Sequence, residues 1–147
     1  MKVDYTIVQD SREKLGLFNK SIIEKLDVGD YSINGYQDRI SIERKGMGDL
    51  FSTLSSGHAR FNREIERSKS LDYFAIIIEG TITDCMLKKF NYSYKTKMKG
   101  YVIFSILVTL HLKHKIPFFF TQNRAESKRL IKELFNGFVR KNGNPNI

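Results

Sequence analysis

The chain has 147 residues, 41% hydrophobic and 28% charged, which suits a single globular domain with a core of its own. One cysteine, Cys85, excludes an internal disulfide and fits a reducing, cytoplasmic setting, while the scattered His58, His111 and His114 have no cysteine partners to form a zinc site. The 25 Lys and Arg outnumber 16 Asp and Glu, a net charge of +9.

The N-terminus carries Asp4 and no apolar signal region, and residues 3–9 alternate with β-rich character, predicting a first strand. Residues 12–20, REKLGLFNK, are polar around a glycine and read as a loop or short helix. From Ser21 to Lys45 three β segments follow as a meander, with Asn34-Gly35 the hairpin signal between YSI and RISIERK. The period then changes. GDLFSTLSS predicts a helical turn or two, and HARFNREIERSK a helix with Phe61 and Ile65 on one face.

DYFAIIIEG, residues 72–80, is almost wholly apolar and of strand length, as a central buried strand would be. TITDCMLKKF reads as a short helix before the lysine- and tyrosine-rich NYSYKTKMKG. Residues 99–113 predict a long helix, stopped before Pro117, whose apolar run of twelve residues (Tyr101 to Leu112) is too short to cross a bilayer; no membrane is expected. Being apolar on every face, this helix must be covered on every face. Either the sheet and last helix do this within one chain, or a second copy shares the task through Leu130, Ile131, Leu134, Phe135 and Phe138; a homodimer is the favoured reading. IPFFFT predicts another buried strand and AESKRLIKELFNGFVRK a final amphipathic helix, so the domain spans 1–141, with 142–147 a disordered tail by composition. Strands alternating with helices imply an α/β sandwich around a mixed sheet. No glycine-rich loop follows the first strand, so no nucleotide cofactor is expected.

Charge is uneven along the chain. Residues 1–49 hold nine acids and eight bases, whereas residues 50–147 hold seven acids and seventeen bases. An acid-bearing N-terminal third on a basic body fits a metal site set in a phosphate-binding surface; a basic protein without a polyanion partner fits the charge equally. The hairpin adds a candidate site without deciding between them. It brings Asp30, just after Gly29, toward Glu43 and Lys45 at the end of the other arm, and strand alternation puts Glu43 and Lys45 on one face with Ile42 and Arg44 on the other. Two carboxylates and a lysine at a strand end suit a hard cation, Mg²⁺, that keeps several waters and polarises a phosphodiester.

The longer string GDY followed by ERKGMGD resembles the Gly-Asp … Glu-Arg-Lys-x-x-x-Asp signature of XPF/Hef structure-specific endonucleases. DSRE, RFNREIER, DYFAIIIEG and IPFFF also resemble that family, so the likeness runs from about Val3 to Arg140 and is closest to small stand-alone members of mobile elements. It implies a restriction-endonuclease-like, PD-(D/E)xK core that acts on DNA with Mg²⁺ or Mn²⁺ and leaves a 5′-phosphate and a 3′-hydroxyl. Asp30 and Glu43 would be metal ligands and Lys45 would activate or position the attacking water. Arg44 and Asp49 complete the signature, with Asp49 holding the basic pair from the first turn of the next helix. Asp10, Arg12 and Glu13 match the first-strand element of the same cleft, and the likeness also favours a cleft role for Arg60 and Glu64. Phosphate contacts are expected from Arg60, Arg63, Lys95, Lys97 and Lys99; Tyr92 and Tyr94 would stack on bases, unless that segment is only a solvated loop. Larger family members carry a helicase region or tandem helix–hairpin–helix module that this sequence lacks, which leaves branch preference more open than hydrolysis. Two rivals stand beside that reading: a general or resolvase-like nuclease, and a non-catalytic DNA-binding subunit. The presence of Asp30, Glu43, Lys45 and Asp49 together favours an enzyme.

Overall fold

The computed structural model describes residues 2–90 and 97–146. Six strands form one mixed sheet: β1 (Ile7–Asp10), β2 (Ile22–Glu24), β3 (Tyr31–Ile33), β4 (Ile40–Gly46), β5 (Tyr73–Glu79) and β6 (Phe118–Thr121). The helices are α1 (Met47–Leu54), α2 (His58–Ser68), α3 (Ile82–Leu87), α4 (Gly100–His114) and α5 (Arg124–Asn142). The strand order is β2-β1-β3-β4-β5-β6, with β3 antiparallel to β1 and β4, and β4, β5 and β6 mutually parallel.

The expected meander is therefore only half present. β3 and β4 form the hairpin, but six residues separate them, since Gly35 (φ +93°) opens a wider turn than a two-residue one. β2 instead crosses over to pair parallel with β1, Val8 opposite Ile22. β1 is buried along its whole length, so it requires a neighbour at both edges. Only residues 7–10 of the predicted first strand join the sheet, and residues 12–20 form turns with no helix.

β5 shows why its sequence is almost uniformly apolar. Phe74, Ile76 and Ile78 pack into a cluster with Leu50 and Phe51 of α1, Phe61 and Ile65 of α2, and Ile103 and Leu107 of α4. Ala75 and Ile77 face the other way, to Ile131, Phe135 and Val139 of α5 together with Ile40 and Ile42. A strand covered by helices on both sides has no polar face to show. Glu79, its last residue, is the exception.

Ile103, Leu107 and Leu110 of α4 are buried, but Tyr101 and Leu112 are 53% and 73% exposed, so the chain covers only part of this helix. Asn142 is the last residue of α5 and not the start of a loose tail. The Tyr36 hydroxyl donates to the carbonyls of Asn142 and Gly143, and the Asn144 amide bonds Lys2 and Asp4. Composition could not anticipate these distant partners.

α3 and α4 meet at Gly100, where a Cβ would lie 1.9 Å from the Cys85 carbonyl oxygen and 2.5 Å from that of Met86. Gly100→Ala must push the two helices apart and is expected to cost about 1–3 kcal/mol in urea unfolding. Gly137→Ala on α5 meets no atom within 4 Å and should instead stabilise by about 0.4–1 kcal/mol, through a less flexible unfolded chain.

Candidate active site

The parallel strands fix where side chains converge. β1, β4, β5 and β6 all end at one end of the sheet, which is also where β3, α1, α2, α3, α4 and α5 begin. Gly29 sits there with φ +81°, and a Cβ on it would lie 2.0 Å from the Ser41 hydroxyl, which donates to the Val28 carbonyl. Only glycine fits this turn. Asp30 follows, its N–H donating to the Ile42 carbonyl and its own carbonyl accepting from the Asp10 N–H, each at 2.8 Å. The main chain of Asp30 is thereby stitched between β1 and β4.

The Asp30 carboxylate accepts the Arg44 N–H at 2.7 Å and shares a hydrogen bond with Glu43. Glu43, only 5% exposed, points to the α2 side, and Lys45 Nζ lies 3.2 Å from its Oε2. Glu64 of α2 closes the group, hydrogen-bonding Glu43 and accepting the Gly29 N–H at 3.4 Å. Residues 30, 43, 45 and 64 thus meet in one half-enclosed cluster.

Three carboxyls face one ammonium, and their protonation reflects it. Burial, then the charge of Asp30, pushes Glu43 up to about 8 against the pull of Lys45. Glu64 is pushed up to about 7, first by burial and then by Glu43. Asp30 is also raised, because its burial outweighs the hydrogen bonds from Glu43 and Arg44. Burial pulls Lys45 down, but the adjoining Glu43 carboxylate outweighs it and holds the ammonium above its ordinary value. Lys45 therefore keeps its proton in this environment and acts as a donor.

This donor set fits a hard cation. Carboxylates crowded in a dry cleft with too little positive charge gain when a divalent ion replaces the shared protons. Among the described residues no three His, Cys, Asp or Glu side chains are arranged to hold a metal by themselves. Asp30 and Glu43 supply a partial shell, the way Mg²⁺ is bound when waters and substrate phosphate complete it.

Other expected residues divide by face. Asp10, 2% exposed, accepts from Arg12 and from the Leu26 N–H. Burial raises its carboxyl, yet the Arg12 guanidinium and two main-chain N–H groups outweigh this and hold it below the usual carboxylate range. Arg12 is otherwise exposed, and Asp30 and Glu64 both act on it electrostatically, which places it at the cleft. Glu13 lies 3.5 Å from Arg44 on the opposite face of β4, and its charge also helps to raise Asp30, so it borders the cluster from that face. Arg44 makes its main pair there with Glu79, at 2.5 and 3.1 Å. The basic pair of the motif is thus split by strand alternation, Lys45 toward Glu43 and Arg44 toward Glu79. Asp49 is exposed in the first turn of α1 and makes no ion pair with Arg44 or Lys45, so it does not hold that pair. Arg60 and Arg63 are exposed on α2, near whose centre Glu64 enters the cluster. Lys97 and Lys99 lead into α4 at the same end of the sheet; Tyr92, Tyr94 and Lys95 lie outside the described residues.

Glu79 is the residue that sequence reasoning missed. Its signal was present, an acid between an apolar strand and Gly80, but its partner is 35 residues away. Through Arg44 it braces the main-chain N–H that orients Asp30.

This six-stranded mixed sheet between helical layers, with its acidic cluster at the strand ends, has the restriction-endonuclease-like fold. The chain belongs to the ERCC4 domain family, which matches residues 3–134. XPF from Aeropyrum pernix superposes with a TM-score of 0.71 at 20% identity, over 92% of this chain and 65% of that one. XPF from the same organism in complex with DNA gives 0.70 at 19% identity, over 94% and 66%. The chain thus spans about two thirds of the length of these structures, and at such identity the likeness concerns the fold. No curated protein matches the chain by sequence.

Two outcomes are expected. Glu43 and Glu64 titrate higher when folded than the ordinary 4.5, so the folded state holds extra protons between pH 4.5 and about 8. The stability this contributes is present below pH 4.5 and lost as pH rises through about 7 to 8. Denaturant midpoints measured in EDTA should fall across that window for the wild type, and less for Glu43→Gln. Glu79→Gln leaves Arg44 short of a partner, at a cost of about 1–3 kcal/mol. By loosening Asp30 it should also weaken Mn²⁺ binding by about 10–100-fold in calorimetry.

Proposed function

We propose that this chain is a divalent-metal-dependent DNA endonuclease, acting on branched or flapped DNA in repair, recombination or replication. The observation that carries this reading is the half-enclosed Asp30–Glu43–Lys45 constellation, with Glu43 buried, in an ERCC4 domain. DNA as the substrate is supported by the relative solved in complex with DNA and by the basic residues that surround the cleft.

Asp30 and Glu43 would hold the cation, Mg²⁺ or Mn²⁺. When bound, it supplies polarisation of the scissile phosphodiester and an acidified water. Lys45, kept protonated beside Glu43, positions that water or the phosphate by donating from Nζ and offsets the negative charge that develops. The Arg44 N–H fixes Asp30, and Glu64 fixes Glu43 from α2. Arg12 at the cleft mouth, with Arg60, Arg63, Lys97 and Lys99, meets the phosphates on either side. In-line attack by water on phosphorus, with departure of the 3′ oxygen, leaves a 5′-phosphate and a 3′-hydroxyl.

A homodimer belongs to the same proposal, but not through the expected α5 stripe. Ile131 and Phe135 of that stripe are fully buried against β5, on the side of the sheet away from α4. Tyr101, Ser105, Val108 and Leu112 fall at i, i+4, i+7 and i+11, a stripe on the outer side of α4 that is exposed except at half-buried Val108. Beside it β6 has no further strand among the described residues, and its three phenylalanines are only half-buried. A second copy across this patch would remove both from water.

Asp30→Asn and Glu43→Gln should abolish Mg²⁺-dependent cleavage of a labelled flap, fork and four-way junction while anisotropy still shows binding. Lys45→Ala should lose about 10²–10³ in rate with metal binding largely kept. Full cleavage by Asp30→Asn would end the assignment. Light scattering should give twice the 17.1 kDa chain mass, reduced to one chain by Val108→Glu or Leu112→Glu. A wild-type monomer at high micromolar concentration would remove the dimer and leave the catalytic reading intact.

A further inference from the structure

The acidic cluster lies on the α2 side of the sheet, yet a second basic surface lies on the other side, along α5. The core edge of α5 is Ser127, Ile131, Phe135 and Val139. One flank beside it is apolar, with Leu134 and Phe138. The opposite flank carries Lys128, Lys132 and Asn136 at four-residue spacing and forms one wall of a groove of about 600 Å³. Phe18, Asn19, Lys20 and the N-terminal stretch from Val3 to Ile7 complete its lining. Asp4 is the one acid that lines the groove, against three lysines. Lys20 and Lys132 make no ion pair among the described residues, and Lys128 Nζ rests over the Phe18 ring at 5.8 Å. Lysines held on a polar wall without acidic partners are a phosphate-binding arrangement.

The groove is also tied to the site end of the sheet. Arg124, one turn before Lys128, donates to the Leu15 and Gly16 carbonyls at 3.1 and 3.0 Å. That contact locks the β1–β2 connection, which begins beside Asp10 and carries Arg12 to the cleft. The same turn is packed from below, where a Cβ on Gly16 would lie 2.0 Å from Gln9 Oε1. Two basic surfaces therefore leave one rigid edge in different directions. Arg60 and Arg63 on α2 lie on the cleft side, and Lys20, Lys128 and Lys132 lie on the α5 side.

We propose that the Lys20–Lys128–Lys132 groove binds the phosphate backbone of a second DNA arm, which diverges from the cut arm at the strand-end edge of the sheet. Lys128 and Lys132 are about 6 Å apart along the helix axis, a rise that spans roughly two phosphates of one strand at 3.4 Å each. A linear duplex seated on α2 and the cleft cannot also follow α5, because the sheet stands between the two surfaces and a duplex is stiff on this scale. A fork or four-way junction offers two arms, and so engages both. The inference rests on the endonuclease reading and gives it a source of branch preference within this domain.

The test is the triple variant Lys20→Ala/Lys128→Ala/Lys132→Ala in the full chain, with thermal unfolding as a control for folding. Arg124 is left in place because it holds the loop. Anisotropy with Ca²⁺, over a salt series, compares a fork, a four-way junction and a linear duplex. Branched DNA should bind roughly tenfold more weakly, with a salt slope flatter by up to about 2.7, while the linear duplex changes by less than about twofold. The triple Lys→Arg variant should restore wild-type binding, since charge and not shape is the requirement. Equal losses on linear and branched DNA would overturn the second-arm assignment and join these lysines to the main track. Unchanged binding of every DNA would overturn it outright. Failure of the wild type to bind any DNA would instead overturn the endonuclease reading, an outcome visible before any variant is made.

Discussion

The organising constraint of this structure is the burial of Glu43 beside Asp30 with one ammonium, Lys45, to balance them. A carboxylate taken out of water must be paired, protonated or bound to a cation. Here the folded chain supplies a partial pair and shared protons, a donor set that fits a divalent ion. Much of the surrounding architecture serves to impose that unfavourable grouping. Gly29 takes a conformation other residues resist, the Asp30 main chain is bonded to two strands, and Glu64 is delivered from a separate helix.

The sheet makes this possible by dividing labour between its faces. Alternation along β4 sends Glu43 and Lys45 into the cluster while Ile42 packs on α5 and Arg44 reaches Glu79. The Glu79–Arg44 pair is half-buried and lies across the sheet from Glu43 and Glu64, yet the Arg44 N–H bonds Asp30 directly. One residue thus links the two faces, by its side chain on one and its main chain on the other. A positively charged side chain here serves geometry before charge. Strands that are parallel over β4, β5 and β6 place all their C-terminal ends, and the helix starts that follow, at one edge. The acids, α2 and the start of α4 with Lys97 and Lys99 are neighbours for that topological reason.

Apolar surface is distributed as unevenly as charge. The two core clusters account for the all-apolar β5 and for the inner sides of α4 and α5, but they leave the α4 stripe and the β6 edge uncovered. The α5 helix shows the contrast within one element: an apolar flank continuous with the core, and a lysine flank beside a polar groove. Such a helix can meet another protein surface on one side and a polyanion on the other without either contact disturbing the core.

Most elements and the motif residues were legible in the sequence, because period and turn chemistry are local. The Gly29-Asp30 turn, the alternation that pairs Glu43 with Lys45, the helices over 58–68 and 100–114 and the double-sided burial of β5 follow from spacing that adjacent residues carry. What was not legible depends on distance in the chain. No local rule moves β2 to the outer edge of β1, since that choice is settled by which strand still has unpaired groups. Asp49 stands where a helix start favours an acid, but Arg44 and Lys45 had already found nearer carboxylates on opposite faces. Glu79 and Lys20 reach their settings through residues about 35 to 116 positions away, which only the closed sheet brings near them. The sequence alone determined which residue types stand ready for metal and phosphate chemistry. Tertiary structure decided which face each one serves, because strand order and helix placement are set by burial summed over the whole chain.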